Sequence, residues 1–320
     1  MEVFVDKGVE LLCTIWHISD CNFKKQHIEM FNGASNYVKE IHKNFDKFKN
    51  DEVAKRFSAL DFKFNVIPWG YALNDEYKIN FETNVEMKKF LDLLPDFVKK
   101  IDFEAFFNKN QRFYSQIIEE YSKFLKDSNY EDFMKWFYKK DLVLNENRKV
   151  LLMPSLFKLG MCLQNGKVCC SSVQEIDKTG NVYMLSKESK SNKIPHTIIH
   201  EFSHPIINQL TENYFKNNQR FEIDNEITKS KDIYHGEGVI NDTIIEGILA
   251  IYLEKRGLNE FKRERIQKRE QNGFVKIAPL VEFLKNYTKN IEKYNGFSEF
   301  FPQVMNFLKK RKKLCVIKFY

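Results

Sequence analysis

A chain of 320 residues that is 43% hydrophobic and 30% charged can build one or two domains with full apolar cores, and it has neither the polarity of a disordered chain nor the apolar runs of a membrane bundle. Its net charge of +7 comes mostly from lysines spread along the sequence, a pattern that points to solubility more than to nucleic-acid binding, and 309–313 is its only dense basic run.

The opening Met1-Glu2-Val3-Phe4-Val5-Asp6-Lys7 has no basic leader, and Asp6, Lys7 and Glu10 interrupt its apolar stretch. No signal peptide and no membrane span are expected, which points to a cytoplasmic location. Residues 1–145 read as mainly helical, with helical spacing over 9–18, 35–48, 53–60, 87–101, 103–125 and 130–139. Between them, Phe62, Phe64 and Val66 alternate before the turn-like Pro68-Trp69-Gly70, which predicts a strand or extended loop over 62–73. Pro95 is expected to end or kink the helix that contains it.

Composition then shifts. The short apolar or β-branched runs 149–156, 167–173 and 181–185 are separated by Gly160, Asn165-Gly166 and Thr179-Gly180. They predict a small antiparallel sheet, with 181–185 as an edge able to pair with an extended peptide. The six cysteines, Cys13, Cys21, Cys162, Cys169, Cys170 and Cys315, match no compact disulfide framework and contain no Cys-x-x-Cys. They read as buried thiols of a reducing compartment.

The chain turns on His200-Glu201-Phe202-Ser203-His204, a His-Glu-x-x-His motif. Two histidines at this spacing share one helix face and can hold one ion, and Glu201 beside them can take a proton from an activated water. The helix is expected over 191–212, with Pro195 in its first turn and Ile198, Ile199, Phe202, Ile206 and Ile207 on its packing side. Pro205 removes the amide that would bond back to the Glu201 carbonyl, so a local kink is expected there. Asn208, one turn past His204, is a candidate to orient that ligand. His196, one turn before His200, reads as a first-turn surface histidine.

A catalytic zinc takes three protein ligands and keeps one position open. Ile207 and Leu210 stand where a metzincin would carry glycine and histidine, so the third ligand must come from elsewhere. A second helix over 238–255, which Gly257 can end, offers Asp242 and Glu246 on an otherwise apolar segment. Buried carboxylates need a cation or donors, so one can bind the ion while the other accepts a hydrogen bond from a ligand histidine. Glu246-Gly247 is similar to the third-ligand segment of aminopeptidase-type gluzincins. Asn241-Asp242-x-x-x-Glu246 is similar to the thermolysin-type pattern, in which Asp242 would be the ligand and Glu246 the orienting group. Glu246 is the first choice and Asp242 the alternative. Glu222 and Asp224 read as solvated charges, and Tyr234, His235 and Tyr252 are candidates for oxyanion contacts, each set against a structural role.

The stretch His200-Glu201-Phe202-Ser203-His204-Pro205-x-x-Asn208 resembles the signature of the DUF4932 type, a family of uncharacterised bacterial metallopeptidases. The opening Val5-Asp6-x-x-Val9-Glu10-Leu11-Leu12 resembles that family's start, so the similarity covers much of the chain, but only the metal-helix motif is specific. The resemblance implies a gluzincin-like fold and a hydrolase, and it names no substrate. The family's second helix carries Asn-Glu with a basic residue four on, whereas this chain has Asn241-Asp242 and Glu246.

Residues 258–313 read as helical, with Lys309-Lys310-Arg311-Lys312-Lys313 as a solvated helix end. The expected fold is α+β and mostly helical, a zincin-like core whose small antiparallel sheet packs on the His-Glu-x-x-His helix. Its segments are a helical region 1–145, a catalytic core 146–257 and a helical region 258–320. The expected function is zinc-dependent peptide hydrolysis with one Zn²⁺, Glu201 as general base, a peptide or protein substrate, and no nucleic-acid partner. Its rivals are a non-catalytic zinc-binding protein, which would not need Glu201, and a helical interaction protein, with its basic end as a nucleic-acid contact, which would hold no metal.

Overall fold

The structure is a computed structural model that describes residues 1–27, 30–31, 35–60, 62, 65–142, 148–163, 166–185, 192–221, 236–274 and 276–309. The chain forms two compact units, one of Met1–Ser128 with Glu146–Ile194 and one of Asn129–Asn145 with Pro195–Tyr320. Helices dominate and the sheet is small, an α+β composition.

The first unit starts with β1 (Glu2–Phe4) and α1 (Lys7–Ile18), followed by α2 (Asn22–Gln26), α3 (Asn36–Phe45), α4 (Glu52–Leu60), α5 (Val66–Tyr71), α6 (Val85–Ile101), α7 (Phe103–Lys109) and α8 (Gln111–Ser128). Side-chain caps start several of these helices. Asp6 accepts from the Val9 amide at 2.9 Å, Ser35 from Val38 at 3.0 Å and Asn84 from Met87 at 2.9 Å. α1 is buried from Gly8 to Ile18 and contributes Leu11, Ile15 and Trp16 to a core shared with Ile41, Phe45, Phe57, Phe90, Leu94, Phe103 and Leu151.

The elements differ from expectation in two places, and a third expectation is narrowed. The predicted strand or loop over 62–73 contains α5, because Val66 and Ile67 are buried as a helical pair and Pro68 falls in a first turn, where its missing amide costs nothing. Gly70 serves a close approach to α1: a Cβ there would lie 2.6 Å from Val9 Cα, and one on Gly8 would lie 2.4 Å from the Gly70 oxygen. Pro95 does not end α6, which continues to Ile101. The single helix expected over 103–125 is divided into α7 and α8 at Asn110.

The sheet is mixed, which corrects the antiparallel expectation. Its strands are β2 (Lys149–Phe157), β3 (Gly160–Leu163) and β4 (Val168–Val173), in the order β1-β2-β4-β3. β1 pairs parallel with β2 (Val3 opposite Val150) and β2 parallel with β4 (Leu151 opposite Cys170), while β3 is antiparallel to β4 (Cys162 opposite Cys169). The sequence carried part of the signal: residues 150–153 are an unbroken apolar run, and β2 and β4 are buried on both faces, as parallel strands are, unlike a half-exposed hairpin. The β2–β4 register shifts between Met153 and Phe157, the stretch that contains Pro154. Residues 181–185 do not form an edge of this sheet. β6 (Val182–Tyr183) pairs with β5 (Glu175–Ile176) in a separate two-stranded ribbon. The Asp177 carboxylate stabilises its turn by accepting from the Thr179 and Asn181 amides at 2.8 and 2.9 Å. Cys13, Cys21, Cys169 and Cys170 are buried, and the described residues contain no disulfide; Cys315 lies outside them.

The second unit holds α9 (Tyr130–Tyr138), α10 (His196–Asn217), α11 (Glu237–Lys255), α12 (Asn259–Gln271), α13 (Ile277–Lys289) and α14 (Phe297–Lys309). α11 is buried from Val239 to Leu253. Gly247 lets α13 come close, since a Cβ there would meet Leu284 at 3.1 Å and Leu280 at 3.2 Å. Gly257, at φ +72°, ends α11 as expected, with the Leu258 amide bonded back to Leu253 O at 2.9 Å. Phe137, Tyr287 and Phe297 form an aromatic centre with ring separations of 5.0–5.3 Å. Lys309 ends α14, and residues 310–313 of the basic run lie outside the described residues. No described helix is long and apolar enough to cross a membrane.

A Cβ on Gly70 would meet backbone, which no rotamer change relieves. Gly70→Ala is expected to cost about 1–3 kcal/mol in urea unfolding; wild-type stability would show that the helix crossing is looser than described. A second expectation concerns Glu10, which is fully buried and accepts from Tyr37 Oη at 2.9 Å and Ser155 Oγ at 3.0 Å. Burial pushes its carboxyl up to about 8. The folded value lies above the unfolded one, so the stabilisation from this group is complete below pH ~4 and is lost as pH rises through 8. Glu10→Gln should remove on the order of 4 kcal/mol of that decline; an unchanged slope of stability between pH 5 and 8 would exclude this account.

Candidate metal centre

α10 begins later than the sequence suggested and runs further, to Asn217. Pro195 precedes its first residue, and the Pro195 carbonyl accepts from the Ile199 amide at 3.0 Å. Ile198, Ile199, Phe202, Ser203 and Ile207 are buried, while Ile206 is half-buried. The helix continues through Pro205. Its inner face therefore carries His196, His200 and His204 in successive turns.

α10 and α11 bring His200, His204 and Asp242 together. The two Nε2 atoms are 3.1 Å apart. Asp242 Oδ1 lies 3.4 Å from His204 Nε2 and 3.8 Å from His200 Nε2. Three groups that would each offer a lone pair to a cation thus point at a common volume, and Asp242 is buried there.

Glu246 is placed differently. Oε1 lies 3.4 Å from His200 Nδ1, the ring nitrogen facing away from Asp242. Arg265 grips both Glu246 oxygens, with Nε to Oε2 at 2.8 Å and Nη2 to Oε1 at 3.0 Å, and Arg269 Nη2 donates to Oε1 as well. On the other histidine, Nδ1 of His204 lies 3.4 Å from Asn208 Oδ1. That oxygen accepts from Asn241 Nδ2 at 2.8 Å, and Asn241 Oδ1 accepts from Thr211 Oγ1 at 2.6 Å.

The electrostatics follow this layout. Burial would raise Glu246, but Arg265, His200 and Arg269 hold its carboxyl well below the usual range. Burial raises Asp242 against the pull of His200 and Arg269. Burial lowers His204 to about 4, with the His200 charge adding to the effect. For His200, burial is outweighed by the Glu246 contact and by the charges of Glu246, Glu201 and Asp242, and its value rises. Glu201 is half-buried and pushed up to about 7, by burial first and with Asp242 reinforcing it. His196 is half-buried, not a surface group, and burial with Arg265 takes it down to about 3.

Tyr252 is buried in packing, its ring against Phe133 at 5.1 Å and its hydroxyl accepting from Arg256 at 2.8 Å. Glu222, Asp224, Tyr234 and His235 lie outside the described residues. Sequence reasoning missed Arg265 and Arg269. Their spacing of four on one helix was visible, but nothing local tied them to a carboxylate on another element.

Residues 65–307 match the family described as Domain of unknown function (DUF4932). No curated protein and no solved structure matches the chain. The matched stretch is most of the sequence and contains every residue of the centre described above, so the chain belongs to the DUF4932 family.

Proposed function

We propose that the second unit binds one divalent cation, zinc by the chemistry of its donors, on His200, His204 and Asp242, and that the protein uses it to hydrolyse peptide bonds. The observation that carries this is the ligand triangle. Its edges are 3.1, 3.4 and 3.8 Å. Ligands about 2.0–2.1 Å from a tetrahedral ion stand about 3.3–3.4 Å from one another, so the three donors need little movement to share one ion. Two imidazoles and a carboxylate are the donor set that zinc favours.

Asp242 is then the third ligand and Glu246 the orienting group. Both Glu246 oxygens are engaged by guanidinium groups, while its Oε1 faces His200 Nδ1. A proton held on Nδ1 leaves the Nε2 lone pair for the cation. Asn208 does the same for His204, and Asn241 orients Asn208. Ligands taken from two adjacent helices make a zincin-like core the fold interpretation that accompanies this site.

When bound, the cation would polarise a carbonyl and lower the pKa of a water molecule. Glu201 is the group that takes the proton of the attacking water and returns it to the leaving amine. A glutamate beside the ligand pair has no purpose in simple zinc storage, which favours hydrolysis over the non-catalytic alternative. The substrate class is a peptide or protein.

Purified protein is expected to carry about one zinc per chain, lost in His200→Ala and Asp242→Ala. Retention of zinc in Asp242→Ala with loss in Glu246→Ala would reverse the two carboxylates. Glu201→Gln should keep its zinc and lose about 10²–10⁴-fold in turnover of a peptide library. Equal turnover by wild type and Glu201→Gln would leave a zinc-binding protein without this activity, and a wild-type chain that takes up no zinc would remove the metal altogether.

A further inference from the structure

α12 has the sequence NEFKRERIQKREQ and contains no buried residue. Its inward stripe, with Phe261 and Ile266, is only half-buried, so apolar packing alone seats it weakly. Ion pairs add to its attachment. Arg265 and Arg269 reach Glu246 on α11, and Lys262 pairs with Glu254 further along that helix. The arginine side chains are 24% and 27% exposed, whereas that of Glu246 is 1% exposed. Two partly solvated cations thus converge on a carboxylate withdrawn from water, and that carboxylate faces His200 Nδ1 at 3.4 Å.

We propose that Arg265 and Arg269 are positioning residues of the metal centre, acting through Glu246 on His200, so that the seating of α12 and the binding of the cation favour each other. This rests on the metal site above but not on peptide hydrolysis. The two arginines together engage both oxygens of Glu246. A carboxylate with a free oxygen could turn toward the cation and compete with Asp242, or turn away and release the His200 ring. Three guanidinium hydrogen bonds occupy both oxygens and prevent either movement. The two contacts differ in kind. Arg265 makes a two-pronged bond that lysine cannot copy, while Arg269 makes a single bond that lysine can approximate. Coupling must run both ways: if the arginines strengthen cation binding, the cation holds α12 in place by the same factor.

The test uses the full chain stripped of metal and titrated with Co²⁺, whose visible bands report ligand geometry, with zinc affinity measured by chelator competition. Arg265→Ala and Arg269→Ala should bind either ion about 10–100-fold more weakly and alter the cobalt bands, the range found when partners of ligand histidines are removed. Arg269→Lys should recover both readouts, and Arg265→Lys should not. Lys262→Ala, which removes one part-exposed ion pair to Glu254 and leaves both arginines on Glu246, should stay within about twofold of wild type. Zinc should slow amide exchange of α12 in wild type and not in Arg265→Ala. If Arg265→Ala does not fold, Arg265→Lys decides by the same criteria. Wild-type affinity and bands in the Arg265 variants would overturn the proposal, as would a loss in Lys262→Ala equal to that in Arg265→Ala. A wild-type chain that takes up neither ion would instead show that the metal site itself was wrong, and the proposal would fall with it.

Discussion

Two carboxylates on a helix buried along its length set the terms for the second unit. α11 is enclosed from Val239 to Leu253, and Asp242 and Glu246 stand one turn apart on it. An ionised carboxylate in such surroundings costs several kcal/mol unless charges or donors meet it. Glu246 meets two guanidinium groups and the His200 ring. Among the described residues, Asp242 has ion-pair contacts only with His200 and His204. The same residue chemistry therefore acquires two roles. In the proposed site the carboxylate held by arginine orients a neighbour, and the one facing two imidazoles keeps a lone pair for the cation. Partner supply, not side-chain length, separates them, and it is the ground on which the proposed site takes Asp242 as third ligand where the sequence put Glu246 first.

What the sequence made legible is local in origin. Histidines four apart share a helix face whatever surrounds the helix, so His200 and His204 could be paired from spacing alone. The need of Asp242 and Glu246 for compensation was equally legible, because a carboxylate on an apolar stripe is anomalous by itself. The identity of the compensating group was not. Arg265 and Arg269 are 19 and 23 residues from Glu246, on a helix whose polar sequence gives no apolar face from which to infer its orientation. The sheet failed for a different reason. Turn residues at Gly160 and Asn165-Gly166 suggested hairpins, but the unbroken apolar run 150–153 in β2 was the stronger signal, and it reports parallel neighbours. β1 is three residues long and has no periodicity to read.

In the first unit the constraint is geometric as well as electrostatic. α1 crosses α5 at Gly8 and Gly70, where neither residue has room for a methyl group. With α1 fixed that closely, Glu10 has no route to solvent and must find its partners inside. They come from Tyr37, 27 residues away, and Ser155, 145 residues away on β2. Ser155 also uses its carbonyl to meet His17 Nε2 at 2.7 Å. One serine thus serves two buried titratable groups on the same helix, and these bonds pin the helix to the sheet beside it.

A helix that is apolar on all sides has a weakness as a carrier of ligands: rotation about its axis exchanges one apolar face for another at little cost in burial. Polar contacts remove that freedom, since each must find its partner or remain unsatisfied. On α11 they include Asn241, tied to Asn208 and Thr211 on α10, and Glu246, tied to α12. A shift of one residue would turn Asp242 by about 100° away from the histidines and break these ties together. The interactions that set the register of α10 against α11 are therefore the same ones that would aim the donors of the proposed site. Asn241 belongs with that site although it touches neither histidine, because it reaches His204 through Asn208 and fixes the rotation of α11 through Thr211.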